Sequence, residues 1–493
     1  MKQIKKAKPK IFHQEWQELH PYKDPASSDF YFVKLSNTFL DMIEEVIPSF
    51  SEKTKKRIAL SVAAYFEDII SEFGLWQGFT RKHYQMYGKY LPFYELTDFY
   101  DPEYVNVEDI MFLIWSILQK EKIETNVVLN PENPVIIGLA WTMFLVLENS
   151  YETAPENELL CNFFTEYFNY DDFFIFRTAA SWFYYHSYLM VTYTEGILKE
   201  ALKEIESCKK EHKNLLTYSI TNELIFKNPC GPLALKTHEW FSAIVGEDTA
   251  LGKMLLQTQF KYEHPQNYLI TDINDKGVYF LPFDSDDSIF LLKSTFSTDL
   301  PYKTGDVVKC NVIYYNEKWE LNGVIVNTSV EDYKRSREES EKQKNNVAYS
   351  INLFLKANQN KPIRYFKNGE ECEDFFKKAF NFPEKTKKNF LKENKNIVSF
   401  INENHGVTTM ENIALYIKDK DNPCYDKEAA EQDGLAIIIH FELFRELIDY
   451  LVKKKCFSYL KFNSLEGEKH GKKLIQDNLD FLFRFFQPES YIE

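Results

Sequence analysis

The sequence has no Cys-x-x-Cys pair and few cysteines for its length. An odd number of widely scattered cysteines does not form a complete disulfide framework, and without paired spacing it does not form a zinc ribbon. This pattern is typical of a protein kept in a reducing cytoplasm. The seven cysteines are Cys161, Cys208, Cys230, Cys310, Cys372, Cys424 and Cys456.

Signals for export or for membrane insertion are also lacking. The first ten residues, MKQIKKAKPK, contain five lysines but lead into IFHQEWQELH and not into the apolar core of a signal peptide. The longest apolar stretch, VIIGLAWTMFLVL at 135–147, is shorter than the roughly 20 residues that span a bilayer and predicts a buried helix. We therefore expect a cytoplasmic protein with no membrane partner.

Sequence signatures of catalysis are missing as well. There is no Gly-x-Ser-x-Gly, and VGEDTALGKM at 245–254 has five residues between its glycines where a phosphate loop has four. DSDDS at 284–288 groups three aspartates without the glycine and glutamate of a calcium loop, and predicts a solvated hairpin turn. Cys424 has no histidine close to it in the sequence. No enzyme class is indicated, and we expect no cofactor.

Length, composition and charge describe an acidic protein with several folded cores. The 493 residues are 44% hydrophobic, with 42 Phe and 31 Tyr, which predicts two to four domains. The net charge is -15, yet residues 346–493 carry 23 basic and 23 acidic side chains, so the excess lies in the earlier part. An acidic front repels nucleic acid and anionic membranes, and we expect neither as a partner.

The period of the apolar residues changes along the chain. From about Ser28 they repeat at three- and four-residue spacing, as in RIALSVAAYFEDIISEFG, which predicts helices. Near Phe260 short β-branched and aromatic runs such as YLITDI and GVYFLPF begin, separated by turn residues, which predicts strands. IVSFI at 397–401 and LAIIIHF at 435–441 are each compatible with a strand or a helix.

These patterns predict an α+β multidomain protein. Closure of the short strands into a barrel would remove their exposed edges. The expected order is an N-terminal arm (1–27), an all-helical domain (28–250), a small antiparallel β-barrel (255–330), a charged linker helix (331–346) and a C-terminal mixed α+β domain (347–493).

The arm contains the first candidate site, HQEWQELHPYKD at 13–24. Seven positions separate His13 from His20, about two helical turns, whereas the zinc-protease helix needs two histidines one turn apart. We therefore favour packing of the apolar residues onto the helical domain, with no metal bound. The alternative is that His20, Asp24 and Asp29 act as ligands together with a partner from elsewhere in the chain.

A second candidate is the lysine- and phenylalanine-rich segment 374–396, which includes Lys385, Lys387 and Lys388. Lysines for phosphates and rings for bases are the chemistry of single-strand binding. Three acidic residues dilute the charge, and phenylalanines at this spacing usually point inward. We favour a plain amphipathic helix pair, with nucleic-acid binding as the alternative.

Several stretches together resemble a known family. HQEWQELHPYKDPASSDFYFVKLSN, YFEDIISEFGLWQGF, VNVEDIMFLIW, GDVVKCNVIYYNEKWELNG and YIKDKDNPCYDKEAAEQDGLAII are similar to an uncharacterised domain family of unknown function found mainly in Bacteroidetes bacteria. The resemblance implies a bacterial, cytoplasmic protein. It implies no activity, cofactor or catalytic residue.

Our leading hypothesis is a non-catalytic binding or scaffold protein with an unidentified protein partner. The first alternative is an enzyme of unknown class with a site between the helical domain and the barrel, where clefts commonly form. The second is nucleic-acid binding through residues 374–396.

Overall fold

The computed structural model describes residues 10–121, 128–168, 170–206, 210–262, 264–296, 301–380, 394–440, 442–455 and 466–492. The chain divides into two compact units. The first unit comprises Met1–Pro265, Cys310–Ile325 and Ile492–Glu493, and the second comprises Gln266–Lys309 and Val326–Tyr491.

Helices make up most of the secondary structure. They are α1 (His13–Gln17), α2 (Asp29–Val46), α3 (Glu52–Ile70), α4 (Leu75–Tyr87), α5 (Val107–Glu121), α6 (Pro134–Ser150), α7 (Glu158–Cys161), α8 (Phe173–His186), α9 (Val191–Glu206), α10 (Lys210–Lys227), α11 (Thr237–Val245), α12 (Ala250–Leu256), α13 (Val330–Ala357), α14 (Gly369–Phe380), α15 (Lys427–His440), α16 (Arg445–Lys454), α17 (Glu468–Asp477) and α18 (Leu479–Phe486).

The strands are short. They are β1 (Gln259–Phe260), β2 (Gln266–Ile273), β3 (Gly277–Pro282), β4 (Ile289–Leu292), β5 (Val307–Cys310), β6 (Val312–Tyr315), β7 (Lys318–Leu321), β8 (Val326–Thr328), β9 (Ile363–Asn368), β10 (Lys395–Asn402) and β11 (Gly406–Met410).

The first unit contains α1 to α12, and the predicted N-terminal helical domain is confirmed. α3 shows why this sequence folds as helix: the Ser51 hydroxyl accepts a hydrogen bond from the Thr54 N–H at its start, and apolar residues four apart, such as Ile58 and Val62, are fully buried. β1, β6 and β7 pair antiparallel in the same unit. The ring of Phe176 stacks on Tyr315 of β6, with centroids 4.3 Å apart.

The second unit contains the other strands and α13 to α18. β4, β3, β2, β5 and β8 are neighbours in that order, and β11, β10 and β9 form a three-stranded antiparallel sheet. The closed barrel predicted for 255–330 is not confirmed, because strands of that range divide between the two units. The predicted linker residues 331–346 lie inside α13, which continues to Ala357.

Two ambiguous and two rejected stretches now have a definite structure. IVSFI lies in strand β10, whereas residues 435–440 lie at the end of helix α15. The aspartates of DSDDS lie between β3 and β4, where Asp286 pairs with Arg337 at 2.5 Å. VGEDTALGKM joins two helices, and the Gly252 N–H bonds the Thr249 hydroxyl at the start of α12.

Helix α6 differs from the buried helix predicted for 135–147. Ile136, Leu139 and Met143 are buried, but Trp141 is 49% exposed and Leu145 is 51% exposed. Within the described ranges one helical stretch, Pro134–Thr153, has the length and apolar composition of a membrane span. Core helices of soluble proteins also have this length and composition. The absence of a membrane partner stays a prediction.

Candidate functional site

The arm residues His13 to His20 fold back onto the helical unit. α1 buries Trp16 completely, and the turn after it carries His20 into the interior, where its side chain is 3% exposed. His20 Nε2 lies 2.6 Å from Glu67 Oε2 on α3, and His20 Nδ1 lies 2.9 Å from the carbonyl oxygen of Trp16. A backbone carbonyl oxygen can only accept, so Nδ1 donates to Trp16. With Glu67 as a carboxylate, Nε2 also donates, which assigns His20 as a buried imidazolium paired with Glu67.

The environment of His20 favours this charged state. Burial by itself lowers the pKa of His20, but the charge of Glu67 and the hydrogen bonds to Glu67 and Trp16 raise it. The net pKa of His20 therefore lies above its usual 6.5.

Glu67 and Asp29 belong to one chain of hydrogen bonds. Asn157 Nδ2 donates to Glu67 Oε1 at 2.8 Å and to the Tyr22 hydroxyl at 2.8 Å. The Tyr22 hydroxyl in turn donates to Asp29 Oδ1 at 2.8 Å. Two of the three residues proposed as ligands, His20 and Asp29, thus belong to one network of hydrogen bonds. We call it the arm network (His13, Trp16, His20, Tyr22, Asp29, Glu67 and Asn157).

The other oxygen of Asp29 is also occupied. His13 Nε2 lies 3.0 Å from Asp29 Oδ2, and the Ala26 N–H donates to the same oxygen at 3.1 Å. Asp24, the third proposed ligand, is exposed, and among the described residues it forms no hydrogen bond with His20 or Asp29. Both carboxylate oxygens of Asp29 therefore accept hydrogen bonds from within the first unit.

Asp68, next to Glu67 on α3, caps the following helix. Its carboxylate accepts the N–H groups of Gly74, Leu75 and Trp76 at 2.8, 3.1 and 2.7 Å, and the Tyr188 hydroxyl at 2.7 Å. Burial raises the pKa of Asp68 to about 6, although these four hydrogen bonds oppose the shift. The carboxylate fixes the start of α4 across a short loop.

A small cavity adjoins these residues. It has a volume of about 20 Å³ and is lined by the polar groups of His20, Glu67, Asp68 and Tyr188 among apolar side chains. This is the size of one water molecule and leaves no space for a substrate. Among the described residues, no group of three or more His, Cys, Asp or Glu is arranged to hold a metal ion. The buried ion pair and hydrogen bonds of the arm network are therefore suited to holding the fold.

A second buried carboxylate, Asp109 on α5, was not predicted as a site residue. It accepts hydrogen bonds from the Tyr65 hydroxyl at 2.7 Å, the Tyr100 hydroxyl at 2.9 Å and Asn106 Nδ2 at 3.0 Å. Burial raises the pKa of Asp109 to about 7, and the hydrogen bonds lower it. An acidic residue inside an apolar helical run, as in VNVEDIMFLIW, is the sequence signal that marks it.

The second unit has a more open concavity, which we call the α13–β11 groove. Its volume is about 560 Å³, within the range of ligand-binding clefts. Four of the ten lining residues are apolar and six are polar. We call the apolar set the floor (Val347, Phe376, Phe380 and Val407) and the polar set the rim (Glu339, Lys342, Gln343, Asn346, Ser350 and His405).

Gly406 shapes one wall of this groove. Its φ is +85°, and a Cβ at this position would lie 2.3 Å from Ser350 Oγ on α13. Only glycine combines this backbone conformation with so close an approach of the helix. The lysines of the other predicted site, Lys385, Lys387 and Lys388, lie outside the described residues.

Comparison with known proteins identifies the family. No curated protein and no solved structure matches the chain. A family described as "Protein of unknown function (DUF3843)" matches residues 10–278 and 317–487, which include the arm network, the Asp109 site and the α13–β11 groove. The resemblance to an uncharacterised family is thus confirmed at that level, while its restriction to Bacteroidetes stays a prediction. The chain belongs to the DUF3843 family of proteins of unknown function.

Proposed function

We propose that this protein is a non-catalytic, cytoplasmic binding protein, and that a segment of a partner protein lies in the α13–β11 groove. The observation that carries the proposal is the groove itself, whose lining combines four apolar with six polar residues. A partner segment would place one or two apolar side chains against Phe376 and Phe380. Its backbone would meet the amide and hydroxyl groups of the rim.

The buried acids support a binding role over an enzymatic one. A general acid or base must reach a substrate proton within hydrogen-bond distance. His20, Glu67 and Asp68 are buried, and the cavity beside them has a volume of about 20 Å³. The hydrogen bonds of these three residues, and the raised pKa values of His20 and Asp68, are explained by internal packing.

Peptide display tests this proposal with two adjacent asparagines of α13. Asn346 lines the groove, whereas Asn345 is equally exposed on the same helix but is not among the lining residues. Peptides selected from a random 12-residue library on the full-length protein should lose at least about tenfold in affinity for Asn346→Trp, because the indole fills the groove. They should keep their affinity for Asn345→Trp within about twofold.

Two outcomes contradict the proposal. One is a selection that yields no peptide with saturable binding to the full-length protein. The other is a set of peptides whose affinity is the same for the wild type and Asn346→Trp, as measured by isothermal titration calorimetry.

A further inference from the structure

Aromatic rings are exposed around the connection between α4 and α5 in the first unit. Phe99 is 93% exposed, Tyr104 54%, Tyr84 49% and Tyr90 36%. Together with the half-buried Tyr100 they form what we call the aromatic loop surface (Tyr84, Tyr90, Phe99, Tyr100 and Tyr104). Single exposed apolar residues are common, but clustered exposed rings mark interaction surfaces, where aromatic residues are enriched.

Three of the tyrosines form a stacked series. The ring centroids of Tyr84 and Tyr90 are 4.8 Å apart at 28°, and those of Tyr90 and Tyr100 are 5.6 Å apart at 32°. The inner end is fixed, because the Tyr100 hydroxyl donates to the buried Asp109. A surface whose rings are already held in place binds with little further loss of side-chain entropy.

The other end of the surface is also held. Asn106 Nδ2 lies 2.8 Å from each of the carbonyl oxygens of Asp101 and Tyr104, and it thereby closes the turn 101–106, which carries Tyr104. The Tyr104 ring stacks on Tyr151 at 5.3 Å. The exposure of the Tyr104 ring is therefore a feature of a fixed turn.

The charge around the rings defines the kind of partner. Residues 90–106 contain four acidic side chains and no lysine or arginine, and one exposed basic residue, Lys89, directly precedes them. All four, Glu95, Asp98, Asp101 and Glu103, are exposed. Carboxylates pair with guanidinium and ammonium groups, and the faces of tyrosine and phenylalanine rings attract the same cations. Phosphate groups of nucleic acids and acidic lipids are repelled by such a surface.

We infer that the aromatic loop surface docks an arginine- or lysine-rich segment of a partner protein. Basic side chains of that segment lie over the rings of Tyr90 and Phe99 and pair with the surrounding carboxylates. This interaction is separate from the one proposed for the α13–β11 groove, because it uses residues of the first unit. Its partner is recognised by positive charge, whereas the partner in the groove is recognised by apolar side chains.

Fluorescence anisotropy of labelled nona-arginine tests the inference on the full-length protein, with nona-glutamate as the charge-reversed peptide. Phe99→Ala should weaken nona-arginine binding about fivefold through loss of the cation–π contact, without affecting the fold, because Phe99 makes little contact with the core. The triple variant Glu95→Gln/Asp98→Asn/Glu103→Gln should weaken binding at least about tenfold and reduce its dependence on salt.

A second triple variant, Glu45→Gln/Glu200→Gln/Glu338→Gln, changes the net charge equally at exposed positions elsewhere and should bind nona-arginine within about twofold of the wild type. Equal weakening by the two triple variants overturns the inference, because binding then follows overall acidity alone. Absence of nona-arginine binding to the wild type also overturns it. Self-association that requires Glu95, Asp98 and Glu103 would replace the basic partner with a second copy of the chain.

Discussion

Replacing Glu67 with alanine should destabilise the helical unit strongly. The change leaves the His20 imidazolium buried without its counter-charge and removes the acceptor of one Asn157 hydrogen bond. Removal of one partner of a buried ion pair costs about 3–5 kcal/mol, out of the roughly 5–15 kcal/mol that stabilise a typical domain. For a unit of more than 200 residues this corresponds to a fall in Tm of roughly 6–20 °C.

Glu195 provides the matched control. It lies on α9 of the same unit, and its carboxylate pairs with Lys53 and Arg57 at the surface. Because exposed ion pairs contribute about 0–1 kcal/mol, Glu195→Ala should shift the Tm only slightly. Differential scanning calorimetry of the full-length protein measures these Tm values, and it resolves the unfolding of the two units when their transitions occur at different temperatures. A Glu67→Ala transition no lower than that of Glu195→Ala would refute the view that the arm network holds the fold.

The pH dependence provides a second check on the same pair. The folded pKa of His20 is raised, so its contribution to stability is fully present below the unfolded value of 6.5 and is lost as pH rises through the folded pKa. The difference in Tm between the wild type and Glu67→Ala should therefore be larger at pH 6 than at pH 9. In the double variant His20→Ala/Glu67→Ala the loss should be smaller than the sum of the single losses, because no charge is left unpaired.

Four further predictions follow from the structure. Asp68→Asn should lower stability by about 1–3 kcal/mol in thermal unfolding because the start of α4 loses acceptors, while the exposed Asp24→Asn should have no effect. Phe176→Ala should lower the free energy of unfolding by about 3–5 kcal/mol, because the Phe176 ring is fully buried. Phe174→Ala should lower it by less than about 1 kcal/mol, because Phe174 is 40% exposed. Elemental analysis should find no stoichiometric zinc, manganese or iron, and a chelator should leave the Tm unchanged. Electrophoretic mobility shifts should detect no salt-sensitive binding to single-stranded DNA or RNA at physiological ionic strength.

The helical part of the fold could be predicted because its signal is local. Three- and four-residue spacing of apolar side chains is visible within a single turn, and α3 buries the stripe that the sequence shows. The short apolar runs were ambiguous because their structure depends on distant partners. IVSFI is a strand since it pairs with both β9 and β11, whereas the end of α15 receives hydrogen bonds at Ile437 O and Ile438 O from the Gln487 side chain.

The arm network could be predicted only in part for the same reason. The sequence indicated His20 and Asp29, but their partners lie far along the chain. Glu67 is 47 residues from His20, and Asn157 is a further 90 residues from Glu67. The strands after Phe260 were predicted individually, but their predicted closure into one small barrel is not confirmed, because neither spacing nor turn residues specify which strands pair at long range.

The arm network and the α13–β11 groove lie in different units, so their roles in stability and in binding can be tested separately. The arm network lies in the interior of the helical unit, whereas the α13–β11 groove is formed by residues of the second unit. If the network only stabilises the fold, Glu67→Ala measured well below its lowered Tm should bind groove-dependent peptides with the affinity of the wild type. If instead the network takes part in function, binding should weaken while the protein is still folded by circular dichroism. Because Asn346→Trp should show the reverse pattern, with normal stability and lost binding, the two variants together distinguish a structural network from a functional one.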